Sequence, residues 1–395
     1  STVVAADLGE TLATSYWGYT TAIALALIAV ASPVLGAIAD FMGAKKRFLA
    51  GFLSLGITFT ACLWFIGAGE WVLASAIFIV ANIGFAGANV FYEALLPSLA
   101  SGPEIDRVST AGYAIGYLGG GVLLALNAAW YISPETFGFS GGDQAVRASF
   151  VSAAVWWGLF SIPLFRQVGE PPARTVDGES AGGNPIRAGF GRVAATLREI
   201  RQHPDLFFFL LAFLVYNDGV GTIIKMATIY GAEVGIGTAH LIGALILVQF
   251  VGVPFTFGFG ALASRLSAKV GIYLCLAGYS SIAVLGFFMD AAWQFWALAV
   301  GVASVQGGIQ GLSRSVYASM IPKGRETEFF GFYSVSSKFA GIAGPLVFAL
   351  VGQSTGTSRW GILSLVVFFL LGAALLARVD VDAGRRLARE SKREG

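Results

Sequence analysis

An acid and two lysines stand where charge is expensive. Asp218, Lys225 and Lys338 lie inside long apolar runs, and an ionisable side chain placed in hydrocarbon costs roughly 2.5 to 3.5 kcal/mol on insertion scales unless it faces water or a partner. Asn217, Gly219 and Gly221 flank Asp218, and such residues loosen a helix and free its backbone for contact with a solute. Lys225 follows seven residues later, close to the same helical face. An amino acid carries one cation and one anion, so Asp218 and Lys338 facing a shared cavity would suit both of its ends. The same residues fit two other roles: an ion pair that pins two helices, or a carboxyl that takes up and releases a coupling proton. Glu93, beside Asn89, is nearer the edge of its run, where it can snorkel. Gln249, Gln306 and Gln310 could line a polar path, and interhelical hydrogen bonding accounts for each equally well.

A second constellation suits ion pairing at a helix end. Gly36, Asp40, Gly43 and Lys45 stand at offsets 0, 4, 7 and 9, followed by Lys46 and Arg47. Asp40 and Lys45 can form charge-assisted contacts that hold two halves of a helical protein shut on one side, whereas Lys46 and Arg47 serve to fix topology. Shifted by 224 residues one finds Gly260, Ser264, Ser267 and Lys269, and Tyr92 and Pro97 recur as Tyr317 and Pro322 at a shift of 225. Matching offsets at separated places point to a duplicated half, which predicts pseudo-two-fold symmetry along the membrane normal and a site near the midplane. Having lost its acid, the second copy should gate weakly. Arg314, at the end of its apolar run, could hold carbonyl ends or the Glu326/Glu328 loop, as gate or as anchor.

The elements that must position these residues follow from hydrophobic length. The 395 residues are 56% apolar and only 12% charged, about half the ~25% of soluble domains. Eleven apolar segments reach the ~20 residues a helix needs to cross a bilayer: 17–39, 48–67, 71–92, 109–132, 149–166, 206–231, 239–262, 270–289, 293–313, 329–351 and 359–377. Twenty of the 25 basic residues fall in alternate loops, which places those loops and the tail in the cytoplasm. Residues 1–14 then form an extracytoplasmic segment, 15–166 a first bundle of five spans, 167–204 a cytoplasmic linker, 205–378 a second bundle of six and 379–395 a tail. Phe190, Val193, Leu197 and Ile200 share a face of the linker, with Arg192, Arg198 and Arg201 elsewhere, as in a helix lying on a membrane surface or in an ordinary solvated helix. Five spans beside six imply that one helix upstream of Ser1 is missing.

The segment Gly36-Ala-Ile-Ala-Asp40-Phe-Met-Gly43-Ala-Lys45-Lys46-Arg47 resembles the loop motif of the major facilitator superfamily. Phe91-Tyr92-Glu93-Ala94-Leu95-Leu96-Pro97, Tyr216-Asn217-Asp218-Gly219-Val220, and Gln306 to Ser315 running on to Pro322 and Glu328-Phe-Phe-Gly331 resemble its vacuole-effluxer-like branch, whose fungal members are autophagy-related vacuolar amino-acid exporters. The resemblance covers nearly the whole chain. It implies an all-α polytopic protein of twelve helices in two pseudo-symmetric bundles that moves a small solute by alternating access, from the inner membrane of a bacterium or the vacuolar membrane of a fungus.

Other classes fail on context. Gly352-Gln-Ser354-Thr-Gly356 matches a nucleophile elbow but sits in an outer loop with no strand before it, and His203 is expected on the opposite side. No Gly-Lys dipeptide exists to build a phosphate-binding loop, so energy must come from a gradient, and neither a cofactor nor a metal is expected. Nucleic acid is not an expected partner of so balanced a charge, 25 basic against 23 acidic residues. Export of drugs or sugars, or a nontransporting solute sensor or scaffold, would use the same architecture.

Overall fold

The computed structural model describes residues 10–390 apart from 68, 103, 173–183, 200–202, 323 and 340. Among the described residues the chain is helical, without strands. It runs through α1 (Glu10–Met42), α2 (Lys45–Cys62), α3 (Trp71–Glu93), α4 (Leu96–Leu99), α5 (Glu104–Ile132), α6 (Gly142–Gln167), α7 (Pro185–Glu199) and α8 (Pro204–Glu233). It continues through α9 (Thr238–Arg265), α10 (Ala268–Phe287), α11 (Ala292–Met320), α12 (Glu326–Phe339), α13 (Ala343–Thr355), α14 (Ser358–Ser364), α15 (Val366–Ala377) and α16 (Val381–Glu390). Nine helical segments among the described residues are long and apolar enough to cross a membrane, and Ala26–Met42 of α1 is a shorter apolar stretch.

The tenth expected span, 329–351, is not one helix. It is divided into α12 and α13 around a turn at Gly341 and Ile342. Pro345 explains the break: its ring would meet the carbonyl four residues earlier, that of Gly341, and it has no N–H to continue the ladder. Gly341 and Gly344 weaken the helix further.

Two compact units form. The first contains Ser1–Leu95, Leu123–Val193 and Gly324–Val335; the second contains Leu96–Val122, Ala194–Lys323 and Ser336–Gly395. Thus α5 gives its first part to the second unit, and the opening of α12 packs with the first.

In the first unit Ala39, Leu49, Ala88, Phe91 and Leu95 are buried beneath Phe48, Phe52 and Trp157. Small residues bring the backbones together, as packing between helices in lipid requires: a Cβ on Gly84 would lie 2.5 Å from the Gly56 Cα. Against expectation for α7, Arg192 is 4% exposed and Phe190 60% exposed. Gly189 packs against Ile38, and the Arg192 guanidinium lies over the Phe41 ring, 5.5 Å from its centroid, an arrangement a cation and a ring quadrupole favour. The side chains of Leu197, Arg198, Ile200 and Arg201 lie outside the described residues.

In the second unit Phe209 stacks on Tyr317, Tyr279 on Phe369, and Tyr216 hydrogen-bonds Ser313 at 2.6 Å. The tail is docked here. Lys269 donates to the Val379 carbonyl at 2.7 Å, Asp205 accepts from the Asp380 backbone N–H at 2.7 Å, and Arg385 of α16 donates to Ser319 Oγ at 3.0 Å.

The glycine contacts give opposite signs for one substitution. Gly84→Ala forces backbones apart, an overpacking cost of about 1–3 kcal/mol, and should lower the thermal unfolding midpoint in detergent. Gly51→Ala meets open space and gains helix propensity; its midpoint should stay or rise.

Candidate functional site

Each unit carries a polar assembly at the helix ends where basic residues cluster. In the first, Gly43 turns the chain at φ 57°, a conformation a side chain would strain, and α2 begins two residues later. The turn returns Lys45 to Asp40, Nζ to Oδ1 3.0 Å, and Lys45 also reaches Glu326 at 2.8 Å. Asp40 accepts from Thr327 Oγ1 at 2.8 Å and from the Glu328 backbone N–H at 2.9 Å. It therefore caps the first turn of α12 from a different helix, where amides lack partners and the helix dipole favours an anion. One turn earlier, a Cβ on Gly36 would overlap the Thr327 carbonyl oxygen. Arg325 holds Glu328 through two bonds of 3.1 Å. Burial pushes the Glu326 carboxyl up, but Lys45 outweighs it and holds the group below the usual range, so the pair stays charged at neutral pH. Lys46 serves elsewhere, donating to the Phe165 and Val168 carbonyls near the end of α6.

In the second unit α5 and α11 present polar rows spaced four residues apart, one helical turn. Arg314 donates to Ser109 Oγ at 2.9 Å and to the Ser109 carbonyl at 2.8 Å, and its guanidinium lies 4.6 Å from the Tyr113 ring centroid. Ser109 Oγ donates to the Gly311 carbonyl at 2.7 Å. Farther along, the Tyr117 hydroxyl donates to Gln310 Oε1 at 2.6 Å. Arg314 thus engages α5, while Glu326 and Glu328 are held by Lys45 and Arg325.

Gly260, the counterpart of Gly36, makes the counterpart crossing: its Cβ would overlap Thr110 Oγ1 of α5. Ser264, in the place of Asp40, donates to the Ala261 carbonyl of its own helix. Lys269, in the place of Lys45, holds the tail. The second copy keeps the close crossing and drops the ion pair.

Asp218 lies midway along α8, 4% exposed, with Oδ1 making no hydrogen bond. The start of α13 lies beside it: a Cβ on Gly344 would stand 2.9 Å from Asp218 Oδ1. Asn217 is half-buried and Lys225 exposed; Lys338 falls in the last turn of α12, with its side chain outside the described residues. Gln249 and Gln306 line a cavity of about 140 Å³ within the second unit, among apolar side chains that include Ile223, Leu241, Phe295 and Ile362. Asp218 is not part of that lining. Asn89 and Glu93 are half-buried on α3 of the first unit. Ser109 and Thr327, partners of the two assemblies, were not singled out by sequence; the four-residue spacing of Ser109, Tyr113 and Tyr117 was the available signal for the first.

If the Asp40 assembly holds α12 closed, removing the acid should expose it. Ser334 of α12 is buried, and a Ser334→Cys reporter, with Cys62 and Cys275 replaced, should react with a membrane-impermeant maleimide more than ~10 times faster after Asp40→Ala, because breaking one partner of a buried pair costs about 3–5 kcal/mol. An unchanged rate would remove the closure role.

Residues 2–389 match the family model described as vacuole effluxer Atg22 like. An uncharacterized MFS-type transporter of Bacillus subtilis (strain 168), YxiO, is 39% identical over 390 residues, covering 98% of this chain and 90% of that protein. Autophagy-related protein 22 of Cryptococcus neoformans is 29% identical over 304 residues, covering 72% of this chain; the chain spans about half of that longer protein, 54%. Among solved structures, the proton:xylose symporter XylE bound to 6-bromo-6-deoxy-D-glucose has a similar fold, with a TM-score of 0.71 over 95% of this chain and 89% of that one, at 15% identity. The chain belongs to the vacuole effluxer Atg22-like family, multi-pass membrane transporters of the major facilitator superfamily.

Proposed function

We propose that the protein exports a small solute, an amino acid, by alternating access driven by a gradient. In this reading residues 15–166 and 205–378 are the two bundles, the linker 167–204 and tail 379–395 lie in the cytoplasm, and the basic helix ends mark the cytoplasmic side. One observation carries it: the attachments at those ends are crossed. α12, from the second half of the sequence, is capped by Asp40 of the first half, and α5, from the first half, is held by Arg314 of the second. Bonds of this kind keep one side shut and must break for solute to pass there. Gly36, Gly43 and Lys45 shape and charge the first of them.

The amino-acid reading rests on Asp218 and Lys338 as partners for an ammonium and a carboxylate, with Asn217 and Lys225 beside Asp218 on α8 and a proton on Asp218 as the coupling ion. Gln249, Gln306 and Gln310, with Asn89 and Glu93 of α3, supply polar groups along the path. A family described as vacuole effluxers supports movement of a solute out of a membrane-bounded compartment.

Counterflow in proteoliposomes tests the cargo. Vesicles preloaded with mixed unlabelled amino acids should accumulate labelled amino acid faster than empty ones. Counterflow only with sugar or drug pools would replace the cargo, and none with any pool would sink transport. Asp218→Asn should insert and melt like the parent yet lose flux driven by a pH gradient; undiminished pH-driven flux would remove Asp218 from coupling.

A further inference from the structure

Two helices of the second unit cross where one of them has no side chain. Gly260 of α9 meets α5, its Cβ position overlapping Thr110 Oγ1 and lying 3.7 Å from the Arg107 Cα. Beside this crossing the helices part into a groove of about 450 Å³, walled by the opening turns of α5 and the closing turns of α9. The groove is amphipathic. Val108, Ala111, Phe257 and Ala261 line it with hydrocarbon, and Val108 and Phe257 are 41% and 46% exposed. Glu104 and Arg107 line it with charge. Thr110, the other polar side chain of the wall, donates to the Asp106 carbonyl of its own helix at 2.8 Å.

Depth decides what fills such a groove. The apolar segment of α5 begins at residue 109 and that of α9 ends at residue 262, so the groove straddles the limit of the hydrocarbon at the basic helix ends, with its charges on the headgroup side. Water suits the charges and not the apolar wall, and acyl chains suit the wall and not the charges. A phospholipid suits both, and pockets between membrane helices at this level recognise lipid heads. A single anion would account for Arg107 alone. Glu104 and Arg107 are both exposed and stand three residues apart on α5, which puts their Cβ atoms about 5–6 Å apart on one face. Yet among the described residues neither enters an ion pair. Two opposite charges held open at that spacing match a head that carries a phosphate and an ammonium two carbons apart.

We infer that the groove between α5 and α9 holds a phospholipid of the phosphatidylethanolamine type, from the leaflet at the basic helix ends. Its phosphodiester lies on Arg107, its primary ammonium on Glu104, and its glycerol and upper acyl chain on Val108, Ala111 and Phe257. Phosphatidylglycerol lacks the cation, and phosphatidylcholine covers its cation with methyl groups and has no N–H to donate. The site requires no transported solute.

Native mass spectrometry of the full-length chain, delipidated in detergent and titrated with each lipid, tests it. The parent should retain phosphatidylethanolamine about 5-fold more tightly than phosphatidylglycerol or phosphatidylcholine, the scale of one exposed ionic contact. Arg107→Ala should weaken phosphatidylethanolamine by a similar factor. Glu104→Gln should abolish the preference over phosphatidylglycerol and leave phosphatidylglycerol binding intact. Ala261→Trp puts a ring in the groove and should displace the lipid with both charges kept. Arg386→Ala, at an exposed arginine of α16 outside the groove, should change nothing. Equal retention of the three lipids by the parent would overturn the site, as would an unchanged preference in Arg107→Ala and Ala261→Trp. A loss in Arg386→Ala as large as in Arg107→Ala would also overturn it, reducing the binding to general attraction toward basic surface.

Discussion

A helix that starts inside a membrane protein has backbone donors to satisfy, and no solvent to satisfy them. That constraint organises the crossing formed by α12 and α13. Pro345 breaks it in two, the break creates a second set of first-turn amides, and Asp40 of α1 caps the first of the two starts. Asp40 is buried, 2% exposed, which is tolerable for a carboxylate when amides and a helix dipole face it. Asp40 has in addition a lysine, and its cap lies at a helix end near other charges. Asp218, 4% exposed beside the start of α13, has an Oδ1 that makes no hydrogen bond among the described residues.

Duplication explains why the two assemblies resemble each other in geometry and differ in chemistry. Gly36 and Gly260 both permit a crossing too tight for a side chain, one against α12 and the other against α5. Close packing of this kind depends on a missing Cβ, and substitution has preserved it in both copies. The charge pair depends on two residues at once, and it survives in one copy only. In the second copy, hydrogen bonding moved to another helix, α11, where Arg314 reaches Ser109 through a bidentate set of donors that fits a hydroxyl and a carbonyl together.

Much of this was legible in the sequence. Span positions followed from hydrophobic length, because a bilayer imposes a minimum, and the helices observed mostly extend a few residues past the expected apolar limits into the polar loops. Gly36, Asp40, Gly43 and Lys45 were visible as an ion-pairing motif. The partners were not, since Thr327 and Glu328 are 287 and 288 residues away from Asp40 and nothing local marks them. The break in the tenth span was missed because mean hydropathy stays high through Gly341 to Pro345; a proline three residues into a new helix reads as an ordinary interruption until the chain on either side is seen. Arg192 was assigned to a polar face because a helical wheel has no knowledge of Phe41.

The α5 and α11 rows have a further implication. Their tyrosine, glutamine, serine and arginine side chains satisfy one another in this arrangement, and any arrangement that parts them must give them water. Replacing a rung with leucine would glue the helices and make a sturdier molecule, at the expense of turnover. Along this stripe, ruggedness and speed are opposed, so an engineer seeking a crystal and a cell seeking flux would choose different residues there.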